Sequence, residues 1–230
     1  RAYNPLAFNV GRSEETDEEL RARIPLVSST GSTGTVPSIE GAMISNVAGV
    51  SSARVLENVE AVPDVEGRPP HSYETVIVGG LDEDVGKEIW RTKPAGIKVV
   101  GNTTEIIIDS NGNPRIVSFT RPLPVYIAVK VSYTLYDEEL FPTNGEAIIR
   151  QVAASYISAL GVGIDVIPSR LIGPIHGAVS GVDEITIEIQ VIPASGDTPD
   201  EGDWQPERIS ISDTAFAETH DIDVTVERVL

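Results

Sequence analysis

Three groups of residues in this sequence carry side chains that could do chemistry, and the first is an acidic loop. The segment 197–203 contains four carboxylates, and carboxylate oxygens are the ligands that Ca²⁺ prefers. The spacing does not fit an EF-hand, because Pro199 occupies the position of the second ligand and Arg208 that of the bidentate glutamate. We therefore interpret 197–203 as a solvated acidic loop and not as a metal site.

Two runs of adjacent acids could supply the carboxylate pair of a glycosidase. They are Asp82–Asp84 and Asp137–Glu139. Glycosidases hold two carboxylates roughly 5 to 10 Å apart across a cleft, with one of them in apolar surroundings. Adjacent acids at the end of a helix or strand more often act as caps and add solubilising charge. The sequence therefore favours no catalytic pair at either run.

The hydroxyl and imidazole side chains form no nucleophile pattern. His71, His176 and His220 are far apart and form neither an HxxH nor an HExxH motif. The segment 31–34 has neither the GxSxG context of a hydrolase serine nor the lysine of a phosphate-binding loop. The chain has no cysteine, which excludes disulfides and thiolate metal sites. The sequence thus predicts no enzyme, no metal and no cofactor.

Composition narrows the possible partners. The 230 residues can form one large domain or two small ones. A net charge of −18 argues against nucleic acid or an anionic membrane as a partner. No apolar run reaches the roughly 20 residues that span a bilayer. The start of the sequence has no signal-peptide core and no initiator methionine, so we expect the chain to be a piece of a longer protein.

The elements that must position these side chains are predicted from caps and turns. In the first half, helices are expected at 16–23, 37–47 and 82–93, and strands at 50–59 and 73–78. Thr16 and Glu19 have the spacing of a capping box, Gly49 ends the second helix, and Asp82 is predicted to cap the third. A loop at 63–71, rich in proline and glycine, separates the two strands.

In the second half, Asn111–Gly112 predicts a hairpin with a type I′ turn. Strict alternation over 125–135 predicts a long half-buried strand, whose edge needs a partner or a neighbouring strand to cover it. Thr143 and Glu146 predict a second capping box at the start of a helix that ends at Gly161. The remaining expected elements are a helix at 169–179 that is kinked or broken at Gly173–Pro174, a strand at 183–191, and closing strands around Ile209, Ile211, Ile222, Val224 and Val226.

These elements predict an α+β fold with two α/β sandwich-like lobes joined by a β-hairpin segment. The expected divisions are an irregular lead-in at 1–13, a lobe at 14–100, a hairpin connector at 101–121 and a C-terminal lobe at 122–230. One internal echo favours two lobes: in both 47–55 and 179–187 a helix ends at glycine, and valine then starts a strand.

The turn and cap residues, in their order along the chain, resemble the baseplate J family, the wedge proteins of contractile phage tails and related contractile injection systems. The segments that carry the resemblance are 11–24, 34–35, 49–50, 57–58, 69–72, 79–80, 93–96, 156–157, 160–161, 169–171 and 181–182. The structural turn and cap candidates are Thr16, Glu19, Gly49, Gly67, Pro70, His71, Gly79, Gly96, Thr143, Glu146, Gly161 and Gly181.

The resemblance implies a structural protein of the virion. It would be a subunit of the baseplate wedge, part of the ring around the hub that couples host contact to sheath contraction. Its partners would be other wedge proteins, a second copy or paralogue of itself, and hub and sheath-initiator proteins. Tail assembly would take place in the bacterial cytoplasm. The alternative is a tail-associated glycan or peptidoglycan hydrolase, or a ligand-binding module, that uses the acidic loop near Asp200.

Overall fold

The computed structural model describes residues 34–229, which form an α+β fold. The helices are α1 Val36–Asn46, α2 Asp82–Thr92, α3 Gly145–Ser158 and α4 Ser169–Ala178. The strands are β1 Val50–Asn58, β2 Ser72–Gly79, β3 Lys98–Val100, β4 Thr103–Ile108, β5 Pro114–Phe119, β6 Leu123–Leu135, β7 Val182–Ile192, β8 Ala215–Glu218 and β9 Val224–Arg228. The predicted first helix, with Thr16 and Glu19, lies outside the described residues. Within 34–229 no helix is long and apolar enough to cross a bilayer.

The first half of the described chain, from α1 to β5, packs two helices on a three-stranded sheet and a hairpin. Strand β2 lies between antiparallel β1 and parallel β3. The β4–β5 hairpin joins β2 through Thr120, whose N–H donates to Thr75 O at 2.8 Å and whose carbonyl accepts from Ile77 N at 3.0 Å. The buried side chains of this half form the first core: Ile39, Met43, Val47, Val55, Tyr73, Ile77, Val85, Ile89, Ile107, Val117 and Phe119. The hairpin that the sequence predicts as a connector therefore contributes three side chains to this core.

The second half, from β6 to β9, is built around β6. This strand pairs antiparallel with β7 along one edge and parallel with β8 and then β9 along the other. Both edges of the predicted long strand are therefore covered by strands of the same chain. Helices α3 and α4 bury their apolar faces in the second core, which includes Ile127, Val131, Ile149, Ile157, Leu171, Ile175, Ile189 and Val224.

The connections α1–β1 and α4–β7 have the same local geometry. In each, a buried valine (Val47 or Val179) follows the helix in extended conformation, and its N–H bonds to the carbonyl four residues earlier. The second residue after that valine is a glycine with φ of 81° (Gly49) or 82° (Gly181), and the strand begins at the next residue. The internal echo in the sequence therefore corresponds to one turn used twice.

The hairpin turn differs from the predicted type I′. That turn needs positive φ at both central residues, but among the described residues His71 is the one non-glycine with positive φ. Asp109 organises the loop instead. Its Oδ1 accepts from the N–H groups of Asn111 and Asn113 at 2.9 Å each, and its carbonyl accepts from Gly112 at 2.9 Å. A carboxylate that binds the following backbone stabilises this longer turn.

The predicted cap at Asp82 is wrong. Leu81 is the N-cap residue, and Asp82 is the first residue of α2. The Asp82 carboxylate binds Arg121 at 2.6 Å instead of the helix backbone. The carboxylate that the local pattern predicted to cap the helix therefore binds the guanidinium of a residue far along the chain instead.

The predicted capping box of Thr143 and Glu146 is also wrong. The N-cap is Asn144, with ψ of 20° and no side-chain cap bond. The ring of Phe141 stacks on Tyr133 with centroids 5.2 Å apart and lies against Gly145. The chain consequently enters α3 through a turn, and Glu146 accepts from the Tyr133 hydroxyl at 3.3 Å.

Two predictions about the C-terminal part need correction. Helix α4 is continuous through Pro174, so the predicted break is absent; the missing proline N–H removes one helical bond near the exposed start of the helix. Ile222 is not in a closing strand but in a 3₁₀ turn, Asp221–Asp223, and its side chain is 76% exposed. Ile209 and Ile211 are buried in irregular chain, where Ile209 forms a single bridge with Val166.

Candidate functional site

The glycines that carry the sequence pattern share one backbone conformation. Their φ angles lie between 79° and 85°, in the left-handed region that favours glycine. They are Gly49, Gly67, Gly79, Gly96, Gly161 and Gly181. Pro70 precedes His71, which has φ of 50°, and the His71 carbonyl accepts from Lys98 N at 3.4 Å. The backbone of His71 thus links the end of this loop to the start of β3.

Two of these glycines meet at one corner of the first sheet. A Cβ on Gly79 would lie 2.1 Å from the carbonyl oxygen of Gly49. That oxygen also accepts from Gly80 N at 3.0 Å. The start of β1 and the end of β2 therefore approach so closely that no side chain fits between them.

Arg121 closes this corner, and we call this set of contacts the Arg121 clamp. Its guanidinium donates to the carbonyls of Ile77, Gly79 and Gly80 and to the Asp82 carboxylate. The guanidinium also lies 5.1 Å from the ring centroid of Phe119. Because Arg121 comes two residues before β6, the clamp fixes the point where the chain leaves the first core.

The two halves are joined by a separate set of contacts, which we call the inter-core joint: Ser52, Arg54, the turn 161–163 and Asp213. Arg54 Nη1 donates to Gly163 O at 3.0 Å, and Nη2 lies 2.9 Å from Asp213 Oδ1. Ser52 Oγ accepts from Val162 N at 3.1 Å. A Cβ on Gly163 would lie 2.1 Å from Arg54 Nη1, so glycine in this turn lets the guanidinium reach the backbone.

Replacing Arg54 with alanine should loosen the joint. The side chains of Arg54 and Asp213 are 32% and 53% exposed, so solvent screening limits the expected loss to about 1 kcal/mol. Trp90 reports on the first half and Trp204 on the second, and urea unfolding of single-tryptophan variants measures each. We expect the two midpoints to move apart in the variant.

Arg208→Ala is the matched control, because Arg208 is 68% exposed and pairs with Asp165 inside the second half. It should leave the two midpoints together. Midpoints that stay superimposed and unshifted in Arg54→Ala would show that the joint does not couple the cores.

A cavity of about 320 Å³ opens beside β1 and the start of β2. Its apolar lining is Val36, Ile39, Val55, Val59, Pro94 and Ile97, and its polar lining includes Glu57, Asn58, His71 and Tyr73. The Asn58 amide nitrogen donates to the carbonyls of Val62, Arg68 and Pro69, so it is committed to the adjacent loop. Burial raises the pKa of the Tyr73 hydroxyl. This cavity can hold an apolar group, but its polar side chains do not form a nucleophile–base pair.

The carboxylates of the acidic loop are not grouped as metal ligands would be. Asp200, Glu201 and Asp203 are exposed, and within residues 34–229 no three His, Asp or Glu side chains are grouped to hold a metal. The acidic runs that could form a glycosidase pair are used differently. Asp82 binds Arg121, and Glu138 binds Arg228.

Asp223, whose side chain is buried, was not predicted from the sequence. Its Oδ1 accepts from Gly196 N at 2.7 Å, and its Oδ2 accepts from Ser195 Oγ at 2.8 Å and His220 N at 3.0 Å. The Ser195 hydroxyl thus bonds to the carboxylate and not to the imidazole, which is not the arrangement of a catalytic triad. Asp223 instead fastens the acidic loop to the C-terminal strand, and no local motif marks it in the sequence.

Asp223→Asn should lower the free energy of unfolding by about 2 kcal/mol at pH 7. Burial raises the pKa of the Asp223 carboxyl, but hydrogen bonds from Gly196, His220 and Ser195 outweigh burial and lower it overall. Because the folded pKa is depressed, this contribution is present above about pH 4 and is lost as the pH falls through the folded value. Urea unfolding between pH 7 and pH 2 should show the variant and wild type converging at the acid end.

Asp221→Asn is the control, since Asp221 is exposed in the same 3₁₀ turn. Its unfolding free energy should follow that of wild type at every pH. A constant difference between Asp223→Asn and wild type down to pH 2 would contradict the role given to the carboxylate.

Comparison with known proteins gives no family for this chain. The sequence matches no family model, and it matches no curated protein.

Proposed function

We propose that this chain is a structural subunit of a contractile tail baseplate wedge, in the virion of a phage or in a related injection system. The observation that carries the proposal is the structural role of the residues that resemble the baseplate J family: they form turns and close backbone contacts. Those at Gly49, Gly79, Gly161 and Gly181 have left-handed backbones, and Gly161 lies at the joint between the cores. The pattern thus specifies turns and close approaches between backbone segments, which suit a rigid structural subunit.

The arrangement of the two cores supports a mechanical role. Each half buries its own apolar cluster, and the inter-core joint holds the two halves together through polar contacts. Such contacts can re-pair in a second arrangement without exposing either core. In the proposed role, host contact re-packs interfaces around the wedge, the ring widens, and sheath contraction follows. We expect no catalysis, cofactor, nucleic acid or membrane to take part.

The experiment is co-purification of the tagged chain with the wedge, hub and sheath-initiator proteins of the same tail. Size-exclusion chromatography with light scattering should show a complex of fixed stoichiometry. The hydrolase alternative is tested in parallel by clearing of peptidoglycan in a gel. Clearing that is lost in Glu201→Ala or Asp203→Ala, without any association, would overturn the proposal.

One observation favours a ligand-binding module as the second candidate, and it is the cavity beside His71. Its apolar lining and its volume of about 320 Å³ suit a small apolar group. Filling the cavity by Val55→Phe should then abolish ligand binding, whereas it should leave co-purification of tail proteins unchanged under the structural proposal.

A further inference from the structure

The outer face of the β4–β5 hairpin carries no charge. It consists of Thr104, Ile106, Ile108, Pro114, Ile116 and Ser118, and the register pairs them directly as 104 with 118, 106 with 116 and 108 with 114. The three isoleucines are 65%, 65% and 72% exposed. The alternate side chains Ile107, Val117 and Phe119 fill the first core. Exposed contiguous apolar side chains on a protein surface mark an interaction site.

The edge of this hairpin is also open. Among the described strands, β4 pairs only with β5, and no other described residue forms a backbone hydrogen bond with 103–108. An unpaired strand edge beside an exposed apolar face is a template for pairing with another strand. Native proteins commonly protect such edges with charges or proline, but the outward face of β4 contains only threonine and isoleucine.

Charge distribution indicates which partner fits. Residues 101–121 carry two acids and two arginines, a net charge of zero, whereas residues 122–230 carry 18 acids and five bases, a net charge of −13. Two copies of this acidic chain would repel each other across most of their surfaces. The hairpin has no net charge, so two hairpins would not repel each other. An uncharged apolar face is typical of the centre of a homodimer interface. A strand can also pair antiparallel with its own copy about a two-fold axis.

We infer that the hairpin binds a second copy of this chain, with β4 antiparallel to the partner's β4. The two hairpins then form one four-stranded sheet, and the isoleucines of both copies make a continuous apolar surface. The inference deepens the proposed function, on which it rests for its role in the tail, by giving the surface where a second copy binds.

The test is sedimentation equilibrium of the full 230-residue chain from about 1 to 500 µM, a range that suits a small interface. Wild type should form a dimer. Ile106→Asp should weaken it at least about 10-fold, because the two introduced like charges would lie close together across the shared β4 pair. Ile116→Asp, on the outer strand β5 of the four-stranded sheet, should weaken it less. Val65→Asp is the control, since Val65 is 96% exposed in the loop between β1 and β2, outside the hairpin, and its dimer should match wild type.

The absence of cysteine allows a second measurement. Ile106→Cys should form a covalent dimer under mild oxidation, and Val65→Cys should not. A wild type that stays monomeric throughout the concentration range would overturn the inference. If the aspartate variants of that monomer also melt at a lower temperature, residues of the same chain cover the face, and the inference is overturned as well. A dimer that Ile106→Asp leaves as tight as that of wild type would overturn it too. Co-purification with tail proteins tests the proposed function separately from both outcomes.

Discussion

Gly79→Ala should destabilise the protein by about 3 kcal/mol or more, the largest effect that we expect from adding one methyl group. The residue has φ of 79°, and a left-handed backbone costs a residue with a Cβ about 1 to 2 kcal/mol. The new Cβ would also lie 2.1 Å from the Gly49 carbonyl oxygen, so β1 and β2 would have to separate. Their hydrogen bonds and the Arg121 clamp would be strained together. Urea unfolding followed by Trp90 fluorescence measures the loss.

Gly67→Ala separates the two causes. Gly67 has almost the same φ, 82°, but a Cβ there would meet nothing within 4 Å. This control should therefore lose only the conformational part, about 1 kcal/mol. Equal losses in the two variants would mean that the close approach of Gly49 and Gly79 does not constrain the fold.

Arg121→Ala should lower the free energy of unfolding by about 3 kcal/mol. The substitution removes the donor for three backbone carbonyls and for Asp82 at the same time, and groups left without their partner lose far more than one surface pair would. The side chain is 27% exposed, which keeps the expected loss below that of a fully buried pair. Chemical denaturation monitored by circular dichroism measures the change.

Two further substitutions make this prediction specific. Arg121→Lys should recover less than half of the loss, because an ammonium group cannot reach the carbonyls and the carboxylate as a planar fork does. Arg150→Ala should cost less than about 0.5 kcal/mol, since Arg150 makes one helical pair with Glu146. Full recovery with lysine would show that charge alone, and not the geometry of the clamp, stabilises this corner.

The sequence indicated the glycine turns that follow helices because their signal is local, whereas the type of the hairpin turn was mispredicted. A glycine between a helix and a strand reports its own backbone conformation, which is why the positions around Gly49, Gly161 and Gly181 could be found without a structure. Alternation over 125–135 likewise indicated β6, since the period of a strand is set by neighbouring residues.

The caps failed because a local pattern cannot show a distant competitor. Asp82 has the right type for a cap, but Arg121, 39 residues later, takes its carboxylate. Glu146 turns to the hydroxyl of Tyr133 for the same reason. The inter-core joint joins residues more than 100 positions apart, so no spacing rule could have found it.

The face of the hairpin was also out of reach. Residues 106–108 are three consecutive isoleucines, and such a run does not tell which of them point inward. Only the packing of α2 against the hairpin decides that Ile107 is buried while Ile106 and Ile108 are exposed. The surface that we infer for a second copy therefore emerges from tertiary structure alone.

The most direct test of the structural role is cryo-electron microscopy of the tail particle, purified from cells with and without this gene. A structural role in the wedge predicts density for both cores of this chain in the ring around the hub, and tails without an assembled ring when the gene is deleted. Complete, contractile tails assembled in its absence, with no density for this chain in the wild-type ring, would contradict it.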